Sequence, residues 1–274
     1  GGGAKVSVLM AMPSAKGLFH RAIVQSASLH IDMAWPEGAI RCAELLYDEL
    51  GLAKGDRAAL AGVPMQAILE ARLRAVERNG GIDDFRPVID GTVLPCDPFS
   101  PEGLEKHRDI PLLIGSTKNE MSFFLGVEGE GVFDMAEAPA RRIVADFFMM
   151  TEAETAPLYD QVRALLNDPK PGLVAEAILT DIRYSRNCRI STDLKAGHGS
   201  APVWAYRVDW TCAPWGGDLG APHTVCIPLA FGTTGTAREM LGREAEADAL
   251  SDRMLTAWAS FARTGDPNAG TLPD

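Results

Sequence analysis

Long apolar runs are missing from this sequence. None approaches the eighteen or so residues that a transmembrane helix needs, and charged residues recur along most of its length. That argues against a helical membrane span and against a membrane partner. Positive charge is also in short supply: 26 basic residues face 37 acidic ones, a net charge of −11. Nucleic acid is disfavoured as a partner, because such affinity rests on phosphate neutralisation by Lys and Arg. Short basic pairs such as Arg141-Arg142 have acids nearby and read as solvated faces. Cysteine is sparse and unpatterned. Cys42, Cys96, Cys188, Cys212 and Cys226 are odd in number and include no CxxC pair, which disfavours a disulfide framework and predicts buried, inert thiols in a reducing, cytoplasmic setting. Cys226 follows His223 by three positions, but a zinc site needs three or four ligands and nothing joins these two. No secretory signal pattern opens the chain, and no internal repeat or low-complexity tract occurs beyond Gly1-Gly2-Gly3.

What is present is an alternation of strand and helix patterns over 274 residues, 46% of them hydrophobic. Small and apolar residues from Ala4 to Met12 predict a short buried helix stopped by Pro13. Ala22-Ile23-Val24 reads as a buried strand, and Ile110 to Ile114 as the clearest core strand. Residues 36–79 predict two or three helices broken near Gly51 and Gly62-Val63-Pro64. Phe85 to Pro95 reads as a short strand and a turn at Asp90-Gly91. Residues 132–193 read as mostly helical, with breaks at Pro157 and around 168–172. Val203 to Val208 alternates as a strand should. Leu250, Met254, Trp258 and Phe261 share one face of a helix from about Glu246 to Gly265. The fold class is α/β, an open and mainly parallel sheet with a ligand site outside the strand carboxyl ends.

Two loops fall at such ends. One holds Glu120, after the strand at 110–114, and the other His223, after the strand at 203–208. A neutral imidazole can take a proton from a hydroxyl nucleophile and return it to a leaving alcohol, while a carboxylate behind it fixes the tautomer. Glu120 and His223 suit those two roles in the order nucleophile, acid, histidine. The Gly-x-Ser-x-Gly turn that would carry the nucleophile does not occur. The other histidines fit ordinary positions: His20 and His107 flank strands, and His198 sits in a turn-like Ala-Gly-His-Gly.

Several stretches together resemble the type-B carboxylesterase family, the cholinesterase-like α/β-hydrolases. They are Gly1-Gly-Gly-Ala4, Lys16 to Ser26, Phe85 to Gly91, Leu113 to Glu120, Gly220-Ala-Pro-His223, Ile227 to Gly232 and Trp258 to Asn268. The resemblance implies residues 1–274 of an α/β-hydrolase fold, its C-terminal part truncated at both ends, with helical insertions near 36–79 and 132–193. It implies a serine carboxylic ester hydrolase with Glu120 as acid, His223 as base, the nucleophilic serine just before Gly1, and the Gly1 amide in the oxyanion hole. Ser26 matches a serine beside the acid; an ordinary strand-end serine is the other reading. Cys226 stands where the family often has Glu or Asp. No metal or organic cofactor is implied, and the partners are a small carboxylic ester and the N-terminal part of the same domain. The isolated chain is then expected to be inactive and poorly folded, with an unpaired sheet edge.

Two alternatives share this resemblance. A non-catalytic binding or adhesion protein would have no chemical need for both Glu120 and His223, whereas an amidase or lactonase would use the same triad. Phe147, Phe148, Met149 and Met150 are candidates either for an apolar acyl or alcohol pocket or for core packing.

Overall fold

The computed structural model describes residues 1–27, 33–129, 131–199 and 201–268. The chain divides into two compact units, one made of Gly1–Val6, Phe19–Ser28 and Arg108–Asp274, the other of Ser7–Leu18 and Leu29–His107. The opening glycines begin a helix, α1 (Gly2–Ala11), and a turn of 3-10 helix starting at Pro13 follows it.

Three parallel strands form the sheet of the first unit, β1 (Ala22–Gln25), β2 (Leu112–Thr117) and β3 (Val203–Val208), in the spatial order β1-β2-β3. Ala22 pairs with Leu112 and Gln25 with Gly115; Leu112 pairs in turn with Val203, and Thr117 with Val208. All six residues of β2 are buried, as its run of Leu, Leu and Ile demands of a central parallel strand. Gly115 is required here, because a Cβ at that position would lie 2.2 Å from the Tyr206 carbonyl oxygen of the adjoining strand. In β3, Trp204 donates to the Gly265 carbonyl (3.0 Å) and the Tyr206 ring meets Trp258 edge-on at 4.8 Å.

The second unit is helical, with α2 (Pro36–Glu49), α3 (Arg57–Ala61), α4 (Met65–Arg78) and α5 (Pro101–Lys106). Leu46, Ala71 and Ala75 form a core between α2 and α4, and Glu49 of α2 accepts from Arg74 and Arg78 of α4 at 2.8 and 2.7 Å. The strand expected between Phe85 and Pro95 reduces to one bridge, between Ala34 and Val88. A turn follows at once: Asp90 Oδ1 accepts the backbone N–H groups of Thr92, Val93 and Leu94, which bends the chain away from ladder pairing.

In the first unit, β2 leads into α6 (Glu120–Leu125), then α7 (Glu137–Phe148), α8 (Glu152–Leu165) and α9 (Pro171–Thr180). Contrary to expectation, α8 runs through Pro157 without a break. A capping box at its start, in which Thr151 and Glu154 bond reciprocally, and the burial of Tyr159 in the α7–α9 core with Ala140, Val144 and Val174 offset the one backbone bond that a proline forfeits. A π-helical turn, Asp181–Ser185, joins α9 to α10 (Arg186–His198), so His198 ends a helix rather than lying in a turn.

After β3 come α11 (Cys226–Ala230), α12 (Arg238–Leu241) and α13 (Glu244–Thr264). Met254 and Phe261 are buried on one face of α13, and Gly265, at φ +86°, closes the helix with its N–H on the Phe261 carbonyl. Val208, Trp210, Val225, Leu229 and Leu241 complete this core.

Candidate functional site

Glu120 and His223, 103 positions apart in sequence, meet at the carboxyl ends of β2 and β3. Glu120 is the first residue of α6 rather than a loop residue, and its side chain is fully buried. One carboxylate oxygen, Oε1, accepts from Ser26 Oγ at 2.5 Å and from the Thr117 amide at 2.7 Å. The other, Oε2, lies 2.6 Å from His223 Nδ1. A carboxylate that already accepts twice takes a third proton donor, so Nδ1 carries the hydrogen and the neutral ring keeps its lone pair on Nε2. Three bonds thus hold the carboxylate in place, and each stabilises its negative charge in a fully buried position.

The Ser26 hydroxyl is therefore bonded to Glu120. Ser26 leaves the end of β1 with φ at +53°, a conformation that a non-glycine residue adopts only under constraint. Here the constraint aims the hydroxyl at Glu120. Gly1, Gly2, Gly3, Ser26, His223 and Cys226 line one cavity of about 360 Å³. The first turn of α1 borders it, closely packed on the end of β1: a Cβ on Gly3 would fall 2.5 Å from the Gln25 carbonyl oxygen.

The buried charge of Glu120 acts on its neighbours. Burial, with Glu120 adding to it, pushes the Cys188 thiol up to about 12 and the Cys226 thiol up to about 11. All five cysteines are buried and free, as their scatter in the sequence predicted. Burial also raises Glu176, whose carboxyl lies behind Asn119. Among the described residues, no group of three or more His, Cys, Asp or Glu side chains is arranged to hold a metal ion, and no helix is long and apolar enough to cross a membrane.

The sequence reading missed an aromatic surround. The rings of Phe124, Tyr184 and Phe123 lie 5.3, 5.6 and 6.2 Å from the His223 ring. Phe123 and Phe124 follow Glu120 by three and four positions on α6, the spacing that puts residues on one helical face, so the signal was there to use. Tyr184 comes from the π-helical turn and had no such signal. Phe147 and Phe148 instead pack against the core of α7 to α9, and Met149 is 83% exposed.

A parallel sheet with an acid and a histidine at neighbouring strand ends defines an α/β-hydrolase fold, and solved structures agree. The chain superposes on a Geobacillus stearothermophilus carboxylesterase with a TM-score of 0.77 at 30% identity, covering 100% of this chain and 55% of that one. A thermophilic PNB esterase gives 0.76 at 26%, covering 99% and 54%. The chain belongs to the carboxylesterase family, whose profile matches residues 1–273. Among curated proteins it is similar to para-nitrobenzyl esterase of Bacillus subtilis, at 29% identity over 97% of this chain and 52% of that protein. Phenmedipham hydrolase of Pseudarthrobacter oxydans is 25% identical over 100% and 54%. The chain spans about half the length of these relatives.

Proposed function

We propose that residues 1–274 are the acid-and-base half of a serine carboxylic ester hydrolase, whose nucleophilic serine is joined directly to Gly1. The observation that carries this reading is the 2.6 Å contact between His223 Nδ1 and buried Glu120, on the rim of a cavity that the Gly1 end of α1 also lines. Membership of the carboxylesterase family supports the ester as substrate class.

In the proposed reaction the serine hydroxyl attacks the ester carbonyl carbon while His223 Nε2 takes its proton. Glu120 holds the Nδ1 hydrogen and stabilises the imidazolium that results. The Gly1 amide, at the positive end of α1, donates to the developing oxyanion. Collapse of the tetrahedral intermediate expels the alcohol, which receives the proton from His223. Water, deprotonated by the same nitrogen, then releases the carboxylic acid and restores the serine. The Phe123, Phe124 and Tyr184 rings flank His223 with apolar surface that suits an uncharged ester.

The test is hydrolysis of p-nitrophenyl butyrate by the complete protein. A fluorophosphonate should abolish turnover and label the serine preceding Gly1, His223→Ala should reduce kcat by several orders of magnitude, and residues 1–274 expressed alone should show no turnover. Labelling at another residue, or undiminished activity in His223→Ala, refutes the assignment.

A further inference from the structure

We propose that Asn119 is a positioning residue: its side-chain amide, held by the buried carboxyl of Glu176, sets the spacing between the segments that carry Glu120 and His223. The catalytic consequence rests on the esterase reading above, whereas the geometry does not.

Asn119 immediately precedes the acid, and Ala221 and Pro222 precede the histidine. The backbones meet there, with the Asn119 N–H on the Ala221 carbonyl at 3.0 Å and a parallel bridge between Asn119 and Pro222. The side chain adds a second tie. Asn119 Oδ1 accepts the Ala221 N–H at 3.1 Å, while Nδ2 donates to Glu176 Oε2 at 3.0 Å. Turned the other way, the amide would set oxygen against carboxylate and N–H against N–H, so the network fixes its orientation.

Three further observations converge on this tie. Asn119 occupies the N-cap of α6, where its side chain would ordinarily accept an N–H from the first turn, yet it makes no capping bond. Thr180 of α9 takes that duty, accepting the Met121 N–H at 2.9 Å and donating to Glu176 Oε1 at 2.6 Å. Asn119 is thereby released to reach the histidine segment. Gly220 leaves it the room: φ there is +58°, and a Cβ would lie 2.3 Å from Asn119 Oδ1. Glu176, only 1% exposed, is costly to bury, and helix packing alone would be served as well by an apolar side chain. What the carboxyl supplies is an acceptor for Asn119 and for Thr180 together. Because Glu120 and His223 must stay within one hydrogen bond of each other, a shift of about 1 Å between their segments costs on the order of 10² in rate.

The decisive experiment reverses the polarity of the tie in the complete protein. Asn119→Asp sets two carboxyl groups against each other and is expected to lower kcat about 10- to 100-fold with KM within about twofold. Adding Glu176→Gln supplies an amide that donates to the new carboxylate while its oxygen still accepts from Thr180, and should recover most of the lost kcat. A readout independent of turnover is the hydrogen-bonded Nδ1 proton of His223 in protein labelled with ¹⁵N-histidine. It should be sharp in wild type and in the double variant, and broadened or displaced in Asn119→Asp. Should Asn119→Asp not fold, Asn119→Ala removes the tie without adding charge and is read by the same kcat loss and the same displaced resonance. Wild-type kcat and an unchanged resonance in the single variant overturn the proposal, as does a double variant that regains thermal stability but not kcat. If the wild-type protein hydrolyses no ester, the esterase reading fails, and the resonance alone decides whether Asn119 positions the pair.

Discussion

Replacing Glu120 with glutamine exchanges one carboxylate oxygen for an NH₂ group and leaves the shape of the side chain unchanged. Oε1 now accepts from Ser26 and Thr117, so the glutamine oxygen must stay on that side; the opposite orientation would press NH₂ against the Thr117 N–H. The NH₂ therefore faces His223 Nδ1 across the 2.6 Å contact. That nitrogen must then accept, which moves the ring proton to Nε2 and blocks the lone pair that the proposed reaction uses to deprotonate the serine. The equivalent acid-to-amide change in chymotrypsin-like proteases lowers kcat by about 10⁴ through the wrong tautomer, which corresponds to roughly 5 kcal/mol of barrier. Stability should move far less, because the lost charge-assisted bond of about 1.5–3 kcal/mol is partly offset by no longer burying a charge. Steady-state hydrolysis of p-nitrophenyl butyrate, with thermal unfolding as control, measures both. A folded Glu120→Gln protein that loses less than about tenfold in kcat would refute the claim that Glu120 sets the His223 tautomer.

Gly220→Ala should destabilise by about 2–4 kcal/mol, combining a left-handed alanine with the loss of the bond that Asn119 Oδ1 makes under the new Cβ; thermal unfolding checks it, and an unchanged midpoint would contradict the close approach. Lys195 is fully buried on α10, donates to the Arg108 carbonyl at 3.1 Å, and is pushed down by burial from 10.5 to about 8. Between those values the unfolded chain binds the extra proton, so wild-type stability relative to Lys195→Met should rise with pH across that window, by roughly 3 kcal/mol in all; denaturant titrations at pH 7.5 and 10.5 that give the same difference would dispose of the idea.

The strands were legible because burial imposes their composition: a run such as Leu112-Leu113-Ile114 has no other comfortable environment. Glu120 and His223 were legible through their placement after such runs; strand order brings their segments side by side, and the bonds between Asn119 and Ala221 close the gap. Less visible was whatever depends on detail beyond periodicity. Pro157 looked like a helix break, since the rule weighs one residue and not the capping box that outweighs it. The Val88 region looked like a strand because Asp90 consumes backbone N–H groups that the pattern leaves available. Asn119 and Glu176 gave no signal, because neither a lone amide nor a lone carboxyl reveals which distant segment it will bridge.

Glu120 and His223 lie beyond the carboxyl ends of adjacent strands at unequal distances, three residues past β2 and fifteen past β3. Neighbouring strands lie about 4.8 Å apart, and past the ladder the Asn119 and Ala221 bonds keep their outgoing segments together, so local bonds set the spacing of the pair and the length of chain between them does not. Within the α6-to-α10 crossover, α7 and α8 supply neither Glu120 nor the Glu176 and Thr180 side chains that brace Asn119, so that stretch can lengthen, shorten or be exchanged while those bonds keep Glu120 and His223 within reach.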